Sequence, residues 1–124
     1  MSIGSSSSVN EGTYYYDGGN YSNTETETGK LWIDGNPIYR KVVNIAALPN
    51  TTSTTYPHGI TTTDTIISCR GMANSGTNEL PMPRTGAGGA GWIDIYANST
   101  NITIASGTDL STWSAFVIME YTKV

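Results

Sequence analysis

The ten residues from Trp113 to Thr122 read WSAFVIMEYT, and their alternation constrains the chain more than any other feature. In a strand, successive side chains point to opposite sides of the sheet. One face then carries Trp113, Ala115, Val117, Met119 and Tyr121, and the other Ser114, Phe116, Ile118, Glu120 and Thr122. Both faces are apolar in the middle, the mark of a central strand covered on two sides. A chain of 124 residues builds one domain. The second cover is therefore expected from another sheet or from another subunit.

No helix is available to do the covering. Val and Ile number 17 against four Leu, and 19 Thr add further β-branched side chains that suit a pleated sheet. No window carries an apolar stripe of useful length at helical spacing; short apolar runs between Gly, Pro, Asn and Ser dominate. The strand runs are Lys30 to Asp34, Ile38 to Ala46, Thr51 to Tyr56, Thr65 to Met72, Trp92 to Ala97, Asn101 to Ser106 and Trp113 to Thr122. Asn98-Ser99-Thr100 makes a hairpin of the fifth and sixth, and residues 73–91 read as one long Gly- and Pro-rich loop. This pattern predicts an all-β, antiparallel β-sandwich over residues 29–124. Residues 1–28 read as an extended arm with SSSS, the triplet Tyr14-Tyr15-Tyr16 and too few aliphatics to fold independently. Three adjacent tyrosines favour an arm lying on a neighbouring subunit over a solvated tail.

Composition narrows the function classes. Ser, Thr, Asn and Gly supply 56 residues, while Leu, Ile, Val and Phe supply only 22. That aliphatic share approaches the level of disordered chains. The net charge of only −4, three Trp and eight Tyr argue instead for an ordered domain with a small core. Six Lys and Arg against ten Asp and Glu speak against nucleic acid as a partner. No run approaches about 18 apolar residues, so no membrane insertion is expected, and the first residues lack the pattern of a secretory leader. One cysteine, Cys69, and one histidine, His58, exclude a disulfide within the chain and multi-His or multi-Cys metal sites. Neither a metal nor a cofactor is expected.

Few motifs carry chemistry. The run Thr85 to Gly91 has the glycines of a phosphate-cradling loop, but the strand-like WIDIY follows where a helix is required. Asp34, Asp64, Asp94 and Asp109 include ordinary turn residues, and a hydrolytic pair would need two of them about 5–10 Å apart across a cleft. His58 sits in a Pro-His-Gly turn, no GxSxG elbow exists, and Cys69 lies in an apolar strand as a small hydrophobe would. Trp92 and Tyr96, beside the glycine run, are better candidates, together with Asp94, Arg84 and Tyr56. An aromatic face bordered by polar groups holds a sugar: the C–H face of the ring packs on the aromatic and the polar groups fix its hydroxyls. The competing reading buries Trp92 in the core.

Residues 21–41 read YSNTETETGKLWIDGNPIYRK. This segment resembles a module found at the C-terminal ends of bacteriophage tail fibres and related virion proteins. The matching features are Tyr21, Ser22, Glu25, Gly29, the block Trp32-Ile33-Asp34-Gly35, and Pro37 to Lys41. Leu48-Pro49-Asn50, His58-Gly59-Ile60 and Tyr121-Thr122-Lys123 extend the likeness to residues 21–124. An extra residue between Gly29 and Trp32 and the Gly-rich segment 86–91 depart from the pattern. The resemblance implies a homotrimeric β-sandwich at the distal end of a virion fibre. There it would bind a host surface polysaccharide, capsule or lipopolysaccharide, without catalysis. Similar modules occur on head fibres and in other structural virion proteins, which leaves a head-fibre or decoration role, or a capsule depolymerase, as alternatives. A short chain of this kind is expected to join other virion proteins through its N-terminal arm.

Overall fold

The computed structural model describes residues 20–86 and 91–124. Their eight strands are β1 (Thr26–Leu31), β2 (Pro37–Ile45), β3 (Ser53–Pro57), β4 (Thr63–Asn74), β5 (Glu79–Met82), β6 (Ile93–Ala97), β7 (Asn101–Ser106) and β8 (Ser114–Lys123). All pairings are antiparallel, in one sheet ordered β1-β2-β8-β4-β5 and another ordered β3-β7-β6. The strand carrying the alternating pattern of Trp113 to Thr122, β8, thus lies at the centre of the larger sheet. The described residues contain no helix, so both sheets bury their inner faces against each other.

Parity decides what goes inside. From β8, Ala115, Val117, Met119 and Tyr121 point into the core, opposite Ile45, Val43, Lys41 and Tyr39 of β2. From the smaller sheet come Ile93 and Ile95 of β6 and Ile102 and Ile104 of β7. Leu48, Ile60 and Leu110 close the ends from loops. At Gly71, opposite Val117, β4 and β8 approach so closely that a Cβ would fall 1.9 Å from the Phe116 carbonyl oxygen. Only glycine fits that crossing.

Two expectations are corrected. The run 73–91 is not one loop: β4 continues to Asn74, and β5 pairs with it after a turn over Ser75 to Asn78. β5 has four residues and contains Pro81, so it carries almost no strand signal alone and exists because β4 offers an edge. The first strand is Thr26–Leu31 rather than Lys30 to Asp34. Trp32 to Asn36 close a tight turn instead: Gly35 N–H donates to the Trp32 carbonyl at 2.9 Å, and Asn36 N–H to Asp34 Oδ1 at 2.9 Å.

Residues 20–25 run beside β2. Val42 N–H donates to the Ser22 carbonyl at 2.9 Å, Asn23 Nδ2 donates to the Val42 carbonyl at 2.9 Å, and the Tyr21 ring lies 4.4 Å from the Arg40 guanidinium. Glu25 reaches the far side of β2: it accepts bonds from Tyr121 Oη at 2.7 Å and Lys123 Nζ at 2.8 Å. Burial raises the Glu25 pKa, but these two donors and the charges of Lys123 and Lys41 outweigh it and hold the carboxyl below its usual value. The Tyr121 phenol is pushed far up by burial, and further by its bond to the Glu25 carboxylate. Residues 1–19, with the tyrosine triplet, lie outside the described residues.

Candidate functional site

β6 is an edge strand with two unlike faces. Ile93 and Ile95 point into the core, so Trp92, Asp94 and Tyr96 share the outward face. Side chains two apart on a strand repeat at about 7 Å, which makes an aromatic–carboxylate–aromatic row. Trp92 is 46 % exposed and Tyr96 57 %, so the core reading of Trp92 is set aside. Asp94 Oδ1 accepts the Ile95 N–H at 3.0 Å, which fixes the carboxylate beside the strand.

Backbone contacts set the wall next to this row. Arg84 N–H donates to the Ile93 carbonyl at 2.9 Å and Ile93 N–H to the Arg84 carbonyl at 3.0 Å, joining the end of β5 to the start of β6. Pro81, Pro83, Arg84 and Thr85 then face Trp92 and Asp94 across an open groove of about 750 Å³. Behind Trp92 lies Gly107, whose N–H donates to the Trp92 carbonyl at 3.1 Å. A Cβ at Gly107 would come within 2.4 Å of the indole Nε1, so the ring packs against bare backbone there. The groove thus has a fixed aromatic platform, a carboxylate and a guanidinium-bearing wall.

Of the five residues singled out from sequence, Trp92, Asp94 and Arg84 line one groove, and Tyr96 continues its outward face. Tyr56 stands apart. Its partner in register is the fully buried Ile102, so it faces inward, and its hydroxyl donates to the Ala47 carbonyl at 2.8 Å. Burial pushes that phenol up, with a smaller opposing effect from Thr54. Pro81, Pro83 and Thr85 were not singled out, because nothing in a proline-rich stretch tells which wall it will form.

The other chemical candidates are engaged elsewhere. Ile60 N–H donates to His58 Nδ1 at 3.1 Å, so the ring proton sits on Nε2 and is donated to the Asn98 carbonyl at 2.9 Å. This buried ring braces two turns. The Cys69 thiol is raised to about 11 by burial, which keeps it protonated at neutral pH. Asp109 accepts the Ser111 hydroxyl and N–H, and these bonds hold it below its usual value. Among the described residues no cluster of His, Cys, Asp and Glu could hold a metal ion, and no helix is long and apolar enough to cross a membrane.

The fold and groove define a class, an all-β domain of two antiparallel sheets with an aromatic surface groove. Comparison of the chain with protein-family models, curated proteins and solved structures finds no match.

Proposed function

We propose that this chain is the receptor-binding tip of a bacteriophage tail fibre, a homotrimer at the distal end of the virion fibre that holds a bacterial surface glycan without cleaving it. The observation that carries the reading is the exposed Trp92–Asp94–Tyr96 row beside Arg84. Aromatic rings that a core would normally absorb stand in solvent, bordered by groups able to bond hydroxyls. The likeness of residues 21–41 to fibre-tip modules supplies the biological setting. Its N-terminal arm would then join other virion proteins. Weak single-site binding suits such a tip, since three linked sites raise avidity without any new contact.

The test is binding of the purified protein to a panel of capsular polysaccharides and lipopolysaccharides, with reducing ends assayed in parallel. Retention on one glycan, lost by about tenfold or more in Trp92→Ala, is the expected result. Release of reducing ends would replace this reading by a depolymerase. Retention on none, with labelling of phage heads by antibody in electron micrographs, would replace it by a head-fibre or decoration role.

A further inference from the structure

The larger sheet has an outward face that the described chain covers only at its margins, where Tyr21 lies on Arg40 and Thr122 is buried at the end of β8. Register sets Phe116 and Met72 side by side in one row across β8 and β4, and Val42 beside Ile118 in the next row. Phe116 is 40 % exposed, and a depression of about 410 Å³ opens beside it between Asn44 and Asn74. The outward face of the smaller sheet differs: opposite Tyr96 and Asp94 it carries Thr103 and Ala105, then Thr55 and Ser53. Its exposed rings, Trp92 and Tyr96, stand on the edge strand β6, whereas the larger sheet is apolar at its centre, and an apolar sheet centre is the signature of a surface made to be buried.

We infer that the outward face of the β1-β2-β8-β4-β5 sheet is where copies of this chain meet, the same face of neighbouring copies being its occupant. This rests on the assembly part of the function proposed above. Charge supports a copy of itself over a charged stranger. Arg40 and Glu120 on this face already neutralise each other at 3.0 Å. Arg70 and Glu79 lie outside the ion pairs of the described residues, bonded to Ser68 and Asn74, and they sit at different heights on β4 and β5. Parity adds exposed Lys30 of β1 and Asp64 of β4, so cations and anions on the face are equal in number and adjoining copies can exchange them. Size agrees as well. The 41 strand residues of this sheet, at about 3.3 Å each and about 4.8 Å between strands, give on the order of 650 Å² before side-chain relief. Stable interfaces bury about 800 Å² per partner. The two apolar faces of β8 then have one explanation, the core on one side and neighbouring copies on the other.

Light scattering on the 124-residue chain at micromolar concentration tests this, with circular dichroism as the check on folding. The wild type is expected to run as a multimer of the 13.2 kDa chain. Ile118→Asp should fall to single-chain mass with its β signature kept, and Tyr96→Ser, on the other sheet, should stay multimeric. Should Ile118→Asp fail to fold, Phe116→Ser, at a more exposed site, carries the same expectation. A monomeric wild type overturns the inference and leaves the face to residues 1–19 or to a different protein. A multimer that survives both substitutions overturns it equally. Glycan retention on the same samples separates the two proposals: a multimer that binds nothing sinks the glycan reading alone, and a monomer that binds sinks this one alone.

Discussion

Two sets of aromatic residues, at Tyr121 and at Trp92, are used in opposite ways. Tyr121 is fully buried, stacks 6.2 Å from Tyr39, and gives its hydroxyl to Glu25. Trp92 and Tyr96 lie on the outside of an edge strand with their rings half in water. The difference comes from position on a strand rather than residue type. Tyr121 shares the parity of Val117 and Met119 on a central strand, whereas Trp92 and Tyr96 oppose the parity of Ile93 and Ile95 on an edge. A large ring stabilises the fold in the first place and offers a surface in the second.

That contrast can be broken by substitution. Tyr121→Ala should cost most, about 3–5 kcal/mol, because it empties a core position that cannot collapse. Urea unfolding would read it as a lowered midpoint. Glu25→Gln should cost less, about 1–2 kcal/mol, by weakening charge-assisted bonds that tie residues 20–25 to β8. The same carboxylate predicts a pH dependence. Its folded pKa lies below the usual 4.5, so its contribution is complete above that value and is lost as pH falls through the depressed one. Melting of the wild type should therefore fall on acidification more steeply than that of Glu25→Gln. Trp92→Ala should cost about 1 kcal/mol through its half-buried seat and remove glycan retention, while the more exposed Tyr96→Ala should change stability by about 0.5 kcal/mol or less. A core-sized loss at Trp92 would erase the contrast. The smallest effect is expected from Gly107→Ala, which should shift the indole emission of Trp92 while β structure is retained, because the added methyl displaces the ring.

Much of the fold was legible where parity is strong. β8 showed both faces in sequence, and β2 showed Tyr39, Lys41, Val43 and Ile45 on one side, as the register has it. β5 was not legible, since four residues with a proline form a strand only when a neighbour supplies the edge. β1 was misplaced because the Asp34-Gly35-Asn36 turn reaches back to Trp32. The row of Trp92, Asp94 and Tyr96 could be read from the alternating isoleucines. Tyr56 was misplaced among the surface candidates, because which side of so short a strand meets the core is set by its pairing with Ile102 rather than by its own residues. The meeting of Arg84 with Ile93 could not be read, because it is a backbone pairing that no local side-chain pattern signals.

That meeting has a consequence for how such a groove can change over time. The clamp between Arg84 and Ile93 consists of two backbone bonds, so it does not depend on which side chains stand between its jaws. Closing a chain segment twice as long adds only about 0.6 kcal/mol of closure entropy. Residues can be inserted or exchanged there while Trp92 keeps its seat on Gly107 and β6 its place at the edge. The groove is built as a fixed bench with a replaceable fence, a division of labour that lets ligand preference drift without refolding the domain.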